Sequence, residues 1–182
     1  DIFLTSRGTS GISIGGYNIG DGLFIGQKSG SLVTSSTSNI TITSNNLDLT
    51  NKPLVSNTSG GLIIEPLGTS FAANQTFSNQ TIASTLSSLR IGKSGNTANI
   101  ILGNKIAVAG PISLFGGNIT INDSLSSSNG STISIYSNTL NIASTKTIAS
   151  SGQLVICPQT LSNSIGIAGA AGTLNLPASF FN

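Results

Sequence analysis

Aliphatic residues recur along this chain in short alternating triplets set between polar, glycine-bearing corners. The pattern is clearest from Asn118 to Ile156, where Ile119-Thr120-Ile121, Ile133-Ser134-Ile135, Leu140-Asn141-Ile142 and Leu154-Val155-Ile156 follow one another. Side chains of an extended chain alternate sides, so each triplet puts two aliphatic side chains on one face of a short strand. The same reading gives strands at Ile2 to Leu4, Ile12 to Ile14, Leu23 to Ile25, Ile40 to Ile42, Leu47 to Leu49 and Leu62 to Ile64. It resumes at Leu89 to Ile91, Ile100 to Leu102, Ile106 to Val108 and Ile112 to Leu114, and it ends with Ile165-Gly166-Ile167 and Leu174-Asn175-Leu176. No strand read this way exceeds about five residues. Between Gly68 and Ser88 the alternation loosens, and a wider corner or irregular loop is expected there.

Helix accounts poorly for this pattern. The aliphatic residues recur at two rather than at three and four, and Gly, Ser, Thr, Asn and β-branched residues dominate. Strands so short cannot build the long ladders of a sandwich. They suit an all-β solenoid, a parallel β-helix with near-zero helix, in which each coil pairs with the coils above and below. At roughly 20 residues per coil the chain would make about nine coils in a rod on the order of 40 Å long.

A longer repeat lies over the short one. Ser38 to Pro66 aligns with Ser131 to Pro158 at a shift of 92 to 94 residues, which keeps the aliphatic triplets, Lys52 with Lys146, and the terminal prolines in step. Residues 1–182 are therefore read as a single β-helical segment, grown by repetition, of a longer protein; Asp1-Ile2-Phe3-Leu4 already reads as strand rather than leader.

Composition changes this picture in one respect: only 7% of residues are charged, while mean hydropathy is +0.27. Ser, Thr, Asn and Gly must then supply the polar skin. Apolar runs stop at three or four residues, as in Leu62-Ile63-Ile64, too short for the roughly 20 that a membrane-spanning helix needs. The net charge of +2 is spread over Arg7, Lys28, Lys52, Arg90, Lys93, Lys105 and Lys146 against five acids. Nucleic-acid binding asks instead for a concentrated basic stripe with stacking aromatics. Cys157 is the single cysteine, so no intrachain disulfide can form; beside Val155 and Ile156 it reads as a buried, inert thiol.

Candidate chemistry is sparse. The chain has no histidine, which removes the commonest general base and the usual zinc ligand together. Asp1, Asp21, Asp48, Glu65 and Asp123 are far apart, although β-helices can gather acids across neighbouring coils. Asp48 alone lies in a repeated triplet, and its counterpart is Asn141, which favours a polar outward position over catalysis. The glycine clusters at Gly11 to Gly16 and Gly166 to Gly172 lack the Lys-Ser/Thr and helix of a phosphate loop and read as tight corners. Asn-x-Ser/Thr sequons at Asn39, Asn57, Asn74, Asn79, Asn118, Asn122 and Asn129 are what chance yields in such a composition, and stacked Asn, Ser and Thr ladders are their expected role. Thr41, Thr43, Thr120 and Thr132 are the candidates for a water-ordering face. No catalytic, cofactor-binding or metal-ligating residue is assigned, and no enzyme activity is expected.

One stretch is more specific. Leu154-Val155-Ile156-Cys157-Pro158 followed by Ser164 to Phe181, SIGIAGAAGTLNLPASFF, resembles a recurring module of large bacterial filamentous-haemagglutinin-like exoproteins, and Gly117 to Ile142 resembles their repeats. The resemblance implies a right-handed parallel β-helix at a bacterial cell surface or outside the cell, serving in a fibre, in adhesion or in biofilm. The partners it implies are neighbouring repeats of the same protein, host or matrix glycans, and an outer-membrane transporter for secretion. Two other readings remain open on the residues: a carbohydrate-binding or carbohydrate-active β-helix, and a filament subunit joined end to end through its strand edges.

Overall fold

The computed structural model describes residues 59–78 and 80–181, together with 2–5, 12–13, 23–25, 27–28, 31–32, 37, 39–45, 47–48 and 54–56. One turn displays the design. Residues 112–114 form a first face, the chain bends, residues 119–121 form a second, Leu125–Ser127 form a third, and the next turn begins at Ile133. Each face pairs in parallel with the same face of the next turn: Ile112 with Ile133, Ile119 with Leu140, and Leu125 with Ile148. The chain is a parallel β-solenoid.

First-face partners follow the register Ile2, Ile40, Leu62, Leu89, Ile112, Ile133, Leu154. From Ile40 to Leu154 this makes about five turns, with steps of 22, 27, 23, 21 and 21 residues. The nine coils expected from a 20-residue period are not reached among the described residues, because the steps exceed the assumed period and because the end of the chain adds no further first-face strand. Ile165–Ile167 and Leu174–Leu176 pair instead with each other, nine residues apart, around Gly166 and Gly172. Their backbones approach so closely that a Cβ on either glycine would overlap the other's segment. This small unit lays Leu174 and Leu176 against the core, followed by the 3₁₀ turn Ala178–Phe181, the one helical element among the described residues.

Inward positions are filled almost entirely by Ile and Leu. Ile40, Leu62, Ile112 and Ile133 are fully buried in one row, Ile42, Ile64, Ile91, Leu114 and Ile135 in a second, and Ile100 and Ile119 in a third. Stacking like on like at the strand spacing of about 4.8 Å lets each side chain cover the one below. Fully burying such a side chain contributes roughly 1.5–3 kcal/mol.

Three further expectations change. The strands Ile112–Ile121 and Ile133–Ile142 run ten residues each, twice the length read from the triplets. The ladder continues through the bend, with Phe115 opposite Tyr136 and Gly116 opposite Ser137. Gly117 permits the bend, since a Cβ there would overlap the carbonyl oxygen of Thr97 in the turn above. Gly68 to Ser88 is more regular than expected: Gln75–Phe77 and Thr81–Ile82 carry the second and third faces of its turn, and Phe71, Phe77 and Leu86 are buried. Its aromatic and amide side chains do what aliphatic triplets do elsewhere, so the pattern was hidden. Cys157 is half-buried rather than buried, because its strand, Leu154–Cys157, lies at the edge of the first face.

Among the described residues, the first aligned stretch carries strands at Ile40–Thr43, Leu47–Asp48, Leu54–Ser56 and Gly61–Glu65, and the second at Ile133–Ile142, Ile148–Ser150 and Leu154–Cys157.

Core stacking and the bend are separately testable by urea unfolding. Ile119→Ala should cost about 2–5 kcal/mol, and Gly117→Ala about 1–3 kcal/mol through overpacking. Leu161→Ala, at a side chain 99% exposed, should stay within about 0.5 kcal/mol of the parent.

Candidate functional site: a polar recess at an uneven corner

The corner between first and second faces varies in length. It is short in the turns that begin at Ile112 and Ile133, and longer between Ile91 and Ile100 and between Ile64 and Gln75. The two longer corners stack on each other, with Asn96 as the joint. This asparagine is wholly buried. Its Oδ1 accepts from Ser70 Oγ at 2.9 Å and from the Phe71 N–H at 3.1 Å, and its Nδ2 donates to the Phe115 carbonyl at 2.7 Å. One amide therefore ties three successive turns, satisfying backbone groups that the widened corner takes out of the ladder. In the turn below, Ser137 fills the corner's interior with a hydroxyl that donates to the carbonyls of Thr139 and Gly117.

Where long corners give way to short ones, a recess of about 220 Å³ opens, lined by Gly95, Asn96, Thr97, Gly117, Asn138, Gln159 and Thr160. Gln159 spans it: the Gly95 N–H donates to its Oε1 at 3.1 Å, and its Nε2 donates to the Asn96 carbonyl at 2.7 Å. Asn138 and Thr160 form a second bridge, through Thr160 N–H to Asn138 Oδ1 at 3.0 Å and Asn138 Nδ2 to Thr160 Oγ1 at 2.9 Å. Each amide keeps one N–H and spare oxygen lone pairs for a ligand. No ionisable side chain lines the recess, and its amides and hydroxyls can recognise hydroxyl or amide groups. A larger hollow of about 390 Å³, between the Ala143 to Ile148 corner and Leu176 to Phe180, is walled by Leu140, Ile142, Ile148 and Leu154 and is the incompletely filled end of the aliphatic core.

Glu65 and Asp123, the two carboxylates among the described side chains, are not brought together. Glu65 lies at the end of a first-face strand, 2.5 Å from Arg90 of the next turn. Asp123 sits in the corner between second and third faces, 3.1 Å from Lys146. Asp48 ends the second-face strand Leu47–Asp48, while its counterpart Asn141 is exposed and donates to Asn118 Oδ1. Asp1 and Asp21 lie outside the described residues. Among the described residues, no three His, Cys, Asp or Glu side chains cluster as metal ligands would. Thr41 and Thr43 belong to the first face, Thr120 to the second and Thr132 to a corner, so the four do not share one face. Neither Asn96, Asn138 nor Gln159 was marked by the aliphatic pattern; the one available signal was the long interval between Ile91 and Ile100.

Two predictions follow from these contacts. Asn96→Ala leaves the Phe71 N–H and Phe115 carbonyl without their partner and should cost about 2–4 kcal/mol by chemical denaturation. Asp123 is held below its ordinary value of 3.8, first by the hydrogen bond from the Ser124 N–H and then by Lys146. A carboxyl depressed in the folded state stabilises that state above its ordinary value, and the contribution is lost as pH falls through the folded value. Asp123→Asn should therefore flatten the acid limb of a stability-versus-pH curve between the ordinary value and the lower folded one, and leave its neutral shape unchanged. Comparison with protein-family models finds no match to this chain, and comparisons with curated proteins and with solved structures find none either.

Proposed function

We propose that the chain is a non-catalytic structural and adhesive segment of a bacterial cell-surface or extracellular fibre, wound as a right-handed β-helix. The observation that carries this reading is the unbroken first-face register from Ile2 to Leu154, an axial ladder of backbone hydrogen bonds over an aliphatic core. Such a stack resists extension along its axis and lengthens by adding turns, which is what a fibre requires. Right-handed winding is the sense taken by about 98% of parallel crossover connections. The resemblance of Ser164 to Phe181 to modules of filamentous-haemagglutinin-like exoproteins supports export to the surface, with an outer-membrane transporter as the secretion partner.

A second reading, glycan binding, is favoured by the uncharged amide-lined recess at Asn138 and Gln159. Hydroxyl-rich ligands pair with such groups without the cost of desolvating a charge. Turnover is not part of this reading, since Glu65 and Asp123 are engaged with Arg90 and Lys146.

Shortening the chain by whole turns should lower stability in graded steps, as in a one-dimensional array; complete unfolding on removal of the first turn would overturn the fibre reading. For glycan binding, an array of neutral and acidic polysaccharides should give a signal that Asn138→Ala reduces at least tenfold, the loss of about 1.4 kcal/mol expected for one good hydrogen bond. Equal binding by the variant would remove the recess from consideration.

A further inference from the structure

Asn129-Gly130 is the one Asn-Gly pair in the sequence. It forms the tip of the corner between the third face of one turn and the first face of the next. Both residues are left-handed, with φ of 56° and 68°, and both are exposed. The turn is closed by the Ser131 N–H donating to the Ser128 carbonyl at 3.0 Å, outside the pair itself. Among the described residues, neither the Asn129 side-chain amide nor the Gly130 N–H has a hydrogen-bond partner. A Cβ built on Gly130 would meet nothing within 4 Å, so the corner is open on that side of the glycine. The remaining corner residues, Ser128, Ser131 and Thr132, and the residues stacked on them, Ala109, Gly110, Pro111 and Ser150 to Gln153, carry no charge.

We propose that Asn129 is a site of spontaneous deamidation through a cyclic imide. The Gly130 nitrogen attacks Asn129 Cγ; the new N–Cγ bond forms, the Cγ–Nδ2 bond breaks, and ammonia leaves carrying the Gly130 amide proton. Water then adds to either imide carbonyl and opens the ring, giving aspartate or, with the backbone rerouted through the side chain, isoaspartate. Glycine is what makes the attack feasible, because it lacks the side chain that would crowd the nucleophilic nitrogen.

The position makes the product consequential. The Gly130 carbonyl already abuts Gly152 of the next turn so closely that a Cβ on Gly152 would overlap it. Beside it, the Gly152 N–H donates to the Ser131 carbonyl at 3.1 Å, and the Ser127 and Ser150 hydroxyls donate to the same carbonyl. An isoaspartyl link lengthens the corner by one backbone carbon and brings a negative charge to a neutral seam. The contact between these two turns loosens while the aliphatic rows beneath remain.

Incubating the folded protein in mildly alkaline buffer and mapping its peptides tests this, with the same chain in denaturant as reference. Expected are the mass gain of NH2 replaced by OH at position 129, an isoaspartyl peptide, and faster amide exchange at Ser131 and Gly152 in the modified fraction. Asn129→Gly, which keeps the left-handed backbone, should lose the modified peptide. Asn129→Asp should carry the charge without the faster exchange. Asn129 intact in the folded protein after the denatured chain has converted would overturn the proposal, as would an undiminished mass gain in N129G.

Discussion

No turn of this solenoid can bury its own inward side chains; each depends on the turns above and below. A triplet such as Ile133-Ser134-Ile135 exposes two aliphatic side chains until another triplet pairs in register, and a slip of one residue would turn Ser134 inward and both isoleucines out. Register is thus enforced by burial at every step, and the backbone ladder is its consequence. The ion pairs play a smaller part. Arg90 and Glu65 remain 40% and 20% exposed, and pairs of that kind contribute about 0–1 kcal/mol, less than one buried isoleucine.

Among the described residues, most buried polar side chains other than Gln75 and Ser127, which lie on strands, enter the interior at corners. Asn96 replaces backbone partners that the widened corner removes, and Ser137 does the same on a smaller scale where the corner is tight. The Ser127, Ser131 and Ser150 cluster knits the opposite corner. Burying an unpaired amide would be costly, so these residues fix the corner geometry that accommodates them. The low charge of the chain fits this economy, because hydroxyls and amides can satisfy both the skin and the corners.

The faces were legible in the sequence and the corners were not, for one physical reason. A face announces itself through alternation over three residues, whereas a corner is defined by contacts between turns. Ile119-Thr120-Ile121 could be placed without knowing its neighbours. Phe115 to Asn118, which carry the strand through the bend, show no alternating aliphatic pattern, so two long strands were read as four short ones. Gln75-Thr76-Phe77 shows no aliphatic alternation because an amide and an aromatic occupy the inward positions. The recess was out of reach for the same reason: Gln159 meets Gly95 across 64 residues of sequence, and nothing local to either residue announces the other.

That contact alters the physics of the array. Gly95 belongs to the turn that begins at Leu89 and Gln159 to the one that begins at Leu154, three turns further on. In an ideal stack each unit feels only its immediate neighbours, and an end can fray one unit at a time. The Gln159 clasp adds a coupling beyond nearest neighbours, so this end of the rod loosens as a block of several turns rather than peeling strand by strand.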